Sequence, residues 1–265
     1  MKELEIIQQA KSLNILVIGD TCLDKFIYGT CDRLSPEAPV PVLKHVETEE
    51  MPGMAGNVAE NAKAFSKNVT LLSQRSKIEK IRYVDSKSNQ HIMRFDIEPK
   101  VKRDFDVFFA NGKHATQAIL GDYDVVILSD YNKGFLMRRQ IISLTQRMKQ
   151  KVYVDSKRSD LKCFKNSIIK LNEKEYSLSS SSVDKTSDIV ETLGRNGARY
   201  NSVVYPGKTV EVFDVSGAGD TFLASFSIYH NITNNIAESI LFANKCSSIA
   251  VQKKGTYALK TGDLL

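Results

Sequence analysis

The sequence predicts an α/β fold in which helices cover both faces of a mostly parallel sheet, a three-layer α/β/α sandwich. Three observations carry this. Short runs rich in β-branched residues recur along the chain, each ends in polar or charged residues, and stretches with helical spacing lie between them. Continuous apolar runs are the mark of strands buried on both faces, and β-α-β alternation is how parallel strands are joined.

The first run, 15–18 (ILVI), leads into Gly19 and Asp20. Residues 26–50 are a strand-rich excursion, interrupted by Gly29 and by the proline-rich stretch 35–43 (SPEAPVPVL). With residues 88–97, which hold the β-prone piece 90–96 (QHIMRFD), this excursion is expected to form a small β lid on a single domain spanning 1–265. The two pieces are expected to pair, either covering a site or presenting an edge for a second copy. Helices are predicted over 57–65, 135–148 and 236–251. Further strands are predicted at 125–128 (VVIL), 152–154 (VYV) and 167–169 (SII), and the polar stretches 73–88 and 177–188 read as loops.

In such sheets ligands bind beyond the carboxyl ends of the strands. That edge collects Asp20, Asp24, Asp130, Lys133, Asp155, Lys157, Asn172 and Glu175. At the segment 214–221 (DVSGAGDT), Gly217, Ala218 and Gly219 can turn their amides toward one point, and apolar residues Phe222, Leu223, Phe226 and Tyr229 follow at helical spacing. Read alone, this is either an anion-binding helix start with Asp220 as proton acceptor or a tight connection with Asp220 as a cap.

Composition narrows the class. The chain has 265 residues, 42% hydrophobic and 26% charged, as in an ordinary globular protein with one large core. No apolar run reaches the roughly 20 residues of a membrane span, and residues 1–5 lack a signal peptide's apolar core, so no membrane association and a cytoplasmic location are expected. The net charge of +6 is spread without a dense basic block, which argues against nucleic acid and fits an anionic small substrate. The four cysteines form no CxxC pair and read as reduced thiols.

Four motifs in order then resemble the ribokinase-like (PfkB) carbohydrate kinases: 19–24 (GDTCLD), 52–57 (PGMAGN), 172–175 (NEKE) and 214–222 (DVSGAGDTF). Within that family the chain is most similar to the heptose 7-phosphate kinases, through 33–42 (RLSPEAPVPV), 90–96 (QHIMRFD), 129–134 (SDYNKG), 242–245 (FANK) and 254–256 (KGT). The resemblance implies a ribokinase-like fold and transfer of the ATP γ-phosphate to the anomeric hydroxyl of a sugar that already bears a phosphate. Asp220 would be the base, and the amides of Gly217, Ala218 and Gly219 the anion hole. Asp24, Gly53 and Asn57 would hold the sugar, with Arg33, Arg94, Asp130, Lys133 and Lys157 around it and its phosphate. Thr192, Gly194, Gly197 and Asn244 would frame the nucleotide. Asn172 and Glu175 would hold Mg²⁺ through water. A homodimer through the β lid, and a separate nucleotidyltransferase acting next, are the partners implied. Another sugar or sugar-phosphate kinase of the family, or a non-catalytic relative that binds nucleotide or sugar phosphate, are the alternatives.

The chain is shorter than is usual for that family, and the shortfall falls at 73–82 and 177–188. A trimmed sheet flank is expected there, with lower stability or compensation by dimerisation. Met54 stands where a second glycine is usual, and Glu191 interrupts an apolar strand.

Overall fold

The computed structural model describes residues 3–101 and 121–264. In chain order the elements are α1 (Glu3–Ala10), β1 (Ile15–Gly19), β2 (Thr21–Leu34), β3 (Pro41–Met54), α2 (Ala55–Lys63), β4 (Val69–Leu72), β5 (Glu79–Asp85) and β6 (His91–Ile97). There follow β7 (Val125–Asp130), α3 (Arg138–Arg147), β8 (Val152–Ser156), β9 (Ser167–Asn172), α4 (Glu173–Ser179) and β10 (Asp188–Thr192). The last are β11 (Ala198–Tyr200), β12 (Val203–Tyr205), α5 (Ala218–Thr233) and α6 (Ile236–Ala250).

Eight strands form one sheet in the order β12-β11-β10-β9-β8-β7-β1-β4. The six strands from β4 to β10 are mutually parallel, and β11 and β12 close the sheet antiparallel. The apolar runs are buried along their whole length in β1, β7 and β8, because alternate residues feed cores on opposite faces. Ile15, Val17, Val125 and Ile127 pack with α1, α2, α5 and α6, while Leu16, Ile18, Val126 and Leu128 pack with Ile141 and Leu144 of α3. The predicted three layers are present.

The second sheet, in the order β3-β2-β5-β6, corrects two expectations. Residues 73–88 are not all loop. Their segment 79–85 is β5, lying between β2, with which it is parallel, and β6, with which it is antiparallel. Its buried apolar residues Ile81 and Val84 stand three apart, with Lys80 before them and Arg82 and Tyr83 between them, so the strand has no continuous apolar run. For the same reason β6 pairs with β5 and not with the proline-rich segment, which ends up at the opposite edge of the sheet as β3.

The stretch 177–188 is partly ordered. Helix α4 runs to Ser179 and a short 3-10 turn covers Ser180–Ser182 before β10. Glu191 sits inside β10 at 5% exposure, its charge met by Arg199 of β11 at 2.8 Å. Met54 takes φ 58°, the left-handed region that glycine would occupy at no steric cost. All four cysteines are free thiols. No helix among the described residues is long and apolar enough to cross a membrane.

Candidate active site

Helix α5 starts at the glycine turn and is buried along most of its length, so its first turn is fixed against the central sheet. Gly217 caps it at φ 79°, and the amides of Asp220 and Thr221 both donate to the Gly217 carbonyl. Gly217, Ala218, Gly219 and Asp220 line a cleft of about 1210 Å³. A helix N-terminus carries partial positive charge and suits an anion there.

Asp220 is 5% exposed, and two side chains hold its carboxylate. Asn57 of α2 donates its Nδ2 to Oδ2 at 3.0 Å, and Tyr131, just after β7, donates its hydroxyl to Oδ1 at 3.2 Å. Burial pushes the carboxyl up to about 6, with the Asn57 hydrogen bond opposing and the nearby Asp155 charge adding to the rise. A carboxylate of that strength can accept a proton near neutral pH.

The sugar-side residues meet on the other flank of this carboxylate. Asn57 is fully buried and reaches the Gly217 carbonyl, while Asn61 one turn later accepts from the Thr221 hydroxyl and the Leu259 amide. Asp24 on β2 accepts from Arg82 Nη1 at 2.6 Å and from Thr256 Oγ1 at 3.4 Å. Gly53 lies beside it, and a Cβ there would stand 2.1 Å from Asp24 Oδ2. Arg82, which also covers the Phe26 ring at 4.9 Å, escapes sequence reading because its segment reads as loop. Arg94 of β6 is in register with Arg82 and chelates Asp96 through Nε and Nη2, each at 2.7 Å. Lys80 stands over the Tyr131 ring, so cations from β5 and β6 border this flank.

Three sequence-predicted substrate residues are placed otherwise. Arg33 is exposed, nine residues beyond Asp24 on β2 and therefore about 30 Å further along the strand. Asp130 is fully buried and turned to Arg158 Nε at 2.5 Å, with Ser156 and the Asn132 amide as further donors. Lys133 gives its ammonium to Glu98 and its backbone N–H to Asp20. Because Asp130 is fully buried against the Arg158 guanidinium, Arg158→Leu should cost about 3 kcal/mol of stability in urea unfolding by leaving that side chain without its ion-pair partner.

Lys157 does line the cleft, bound to Asp155 at 3.1 Å and to Glu175, with its ammonium over the Tyr131 ring. Asn172 also lines it and caps α4 reciprocally with Glu175: Asn172 Oδ1 accepts from the Glu175 amide and Glu175 Oε2 from the Asn172 amide. Thr192, Gly194, Gly197 and Asn244 border the same cleft, closed on its apolar side by Val212, Val215 and Val251. Asn244 donates to the Tyr205 and Pro206 carbonyls, tying α6 to the end of β12. A lysine not singled out from sequence, Lys170 of β9, completes the floor. Its signal was a charge inside an otherwise apolar strand.

A model of the pfkB family carbohydrate kinases matches residues 113–261. The chain belongs to that family. Proteins named "Bifunctional protein HldE" are similar along the kinase's length: that of Campylobacter curvus is 30% identical over 96% of this chain, and that of Caulobacter vibrioides 31% identical over 94%. The kinase spans only 65% and 62% of those two proteins. Among solved structures, Escherichia coli phosphofructokinase-2 in complex with fructose-6-phosphate superposes with a TM-score of 0.70 at 16% identity, covering 95% of this chain and 97% of that one. Thermotoga maritima ribokinase superposes with 0.67 at 16%, covering 95% and 98%. These likenesses establish the ribokinase-like fold, and the family establishes a carbohydrate kinase.

Proposed function

We propose that the kinase phosphorylates the anomeric hydroxyl of a heptose 7-phosphate, giving the 1,7-bisphosphate. The observation that carries the reading is the position of Asp220, a buried carboxyl with a value of about 6 between the nucleotide-sized cleft and the sugar-side group Asp24, Gly53 and Asn57. The substrate's own phosphate calls for cations beyond the sugar, and Lys80, Arg82 and Arg94 stand at that flank. The motifs shared with heptose 7-phosphate kinases supply the sugar.

In the proposed reaction Asp24 and Asn57 orient the sugar, Asp220 takes the hydroxyl proton as the oxygen attacks, and the amides of Gly217, Ala218 and Gly219 face the transferred phosphoryl group. Thr192, Gly194, Gly197 and Asn244 border the nucleotide. Mg²⁺ fits as a visitor carried by the phosphates: among the described residues no three His, Cys, Asp or Glu side chains group to hold a metal, and Glu175 already accepts from Lys157 and the Asn172 amide. Asn172 and Glu175 would hold it through water, and it would neutralise phosphate charge.

Exposed apolar residues on β6 and near β3, Met93, Phe95, Ile97 and Val40 among them, support a lid over the sugar and a homodimer through that lid. A 1-phosphorylated product is the natural substrate of a nucleotidyltransferase acting next, in the cytoplasm. Sedimentation of the purified chain tests the dimer.

The test of the substrate is turnover with ATP, Mg²⁺ and a panel of heptose 7-phosphate, the unphosphorylated heptose, fructose 6-phosphate and ribose. Heptose 7-phosphate should give the highest kcat/KM; preference for an unphosphorylated sugar sinks the proposal. Because Asp220 must be ionised, kcat/KM should fall about tenfold per pH unit below about pH 6.

A further inference from the structure

The motif 254–256 (KGT) takes no part in the transfer, yet it lies where the second sheet meets the body of the molecule. That sheet has its own apolar cluster, Phe26, Tyr28 and Val84, separate from the two clusters that flank the central sheet. At its root Cys22 packs with Met54 and Ile78. Beyond the root, burial of apolar side chains does not fix the sheet against the body, and polar contacts must do so.

β2 leaves the body with Asp24, Phe26 and Tyr28 at alternate positions, all three buried. Opposite them on β3 stand Met51, Glu49 and Glu47. The loop after α6 runs down these rungs. Lys254 holds its ammonium 3.6 Å from the centre of the Tyr28 ring and donates to Glu47 Oε1 at 3.2 Å and to Glu49 Oε1 at 3.0 Å. Gly255 follows at φ 70°, where a Cβ would stand 2.9 Å from Met51 Cε and 3.6 Å from Phe26 Cε2. Thr256 then donates to Asp24. The same loop is tied to the glycine turn: the Val251 carbonyl accepts from the amides of Phe213 and Asp214, and Ser247, one turn earlier on α6, donates to the Ala218 carbonyl. Glu49 depends on this contact, because its Oε2 is buried with no hydrogen-bond partner among the described residues and the Lys254 ammonium on Oε1 answers its charge.

We propose that Lys254 is a positioning residue that clamps the second sheet to the body and so keeps Asp24 where the sugar binds. The inference rests on the reading of Asp24 as a sugar ligand, and neither the identity of the sugar nor the transfer step enters it. Lys254 touches neither substrate. It acts by populating the arrangement in which Asp24, Thr256 and the glycine turn stand together. Without the clamp, a sugar binds more weakly by the fraction of molecules in which that arrangement is already in place.

Steady-state kinetics test this with heptose 7-phosphate, or whichever panel sugar the wild type prefers. Lys254→Met should raise KM for the sugar about fivefold, the worth of a half-exposed ion pair with a cation–π contact, while kcat and KM for ATP stay within about twofold. Lys254→Glu, which repels Glu47 and Glu49, should raise it further. Adding Glu49→Lys to Lys254→Glu restores opposite charges across the same gap and should recover most of the wild-type KM. A residue that serves only the folded state would not give this split or this recovery. Asp24→Asn separates the two readings. If it leaves the sugar KM unchanged, Asp24 is no sugar ligand and the clamp falls with it. If it raises the sugar KM while Lys254→Met does not, the sugar site stands and the clamp is overturned. Equal weakening of ATP and sugar in Lys254→Met, or no recovery in the reversed pair, overturns it as well.

Discussion

Asp220→Asn is expected to yield a folded protein that turns over about 10²–10⁴-fold more slowly and resists heat better than the wild type at pH 8. The loss of rate follows from the chemistry: an amide has the carboxylate's shape but cannot take the sugar's proton. The hydrogen bonds survive, because the Tyr131 hydroxyl can accept from the new amide where it now donates to Oδ1, while the remaining oxygen still receives Asn57. The gain in stability follows from linkage. The carboxyl is raised from 3.8 to about 6 in the folded protein, chiefly by burial. A raised acid favours folding in its protonated form, so its contribution is complete below about pH 4 and is lost as pH rises through about 6. A shift of this size corresponds to about 3 kcal/mol. Asparagine is neutral at every pH and avoids that loss. Thermal unfolding of both proteins at pH 8 and pH 4 checks it: the variant should lead at pH 8 and the difference should vanish at pH 4. Turnover within threefold of wild type would remove Asp220 from the base role. The comparison matters because it separates a residue kept for chemistry from one kept for folding.

What the sequence disclosed, and what it hid, divides along the reach of the interactions. β1, β7, β8 and β9 were legible because a strand buried on both faces writes its environment into consecutive residues. The glycine turn was legible because it is local, a left-handed Gly217; Asn172 and Glu175 stand out as a pair three apart that reads as holding Mg²⁺ through water, and the structure shows them also as a reciprocal helix cap. β5 was not, since its charged residues Lys80 and Arg82 are explained only by the strands and rings that they meet from far away in sequence. Arg33 was misplaced for a related reason. Its motif lies next to the sugar residues in sequence, but β2 runs for 14 residues and carries it to the far end. Met54 was noticed as a departure, and the backbone shows its cost: a non-glycine residue at φ 58° is strained by about 1–3 kcal/mol, offset by a side chain buried with Cys22 and Ile78.

Gly217→Ala is the second large effect, and its size comes from where one methyl group would land. The residue sits at φ 79°, so any Cβ carries a penalty of about 1–2 kcal/mol before it touches anything. An ideal Cβ would then stand 2.5 Å from Asn57 Nδ2 and 2.8 Å from Thr256 Cγ2. Asn57 is the donor that holds Asp220, and Thr256 reaches Asp24, so the methyl pushes on the two side chains that join the base to the sugar-side carboxylate. Activity should therefore fall further than stability: about 10²-fold or more in kcat/KM against about 2 kcal/mol in urea unfolding. Gly134→Ala supplies the comparison. Gly134 has φ 107°, yet among the described residues its Cβ would meet only Val101 at 3.9 Å, an ordinary contact. That variant should lose similar stability and keep turnover within a few-fold of wild type. If both variants lose activity in proportion to stability, the glycine at 217 serves only the backbone. If Gly217→Ala alone collapses turnover, its missing side chain is what lets Asn57 and Thr256 close on the site.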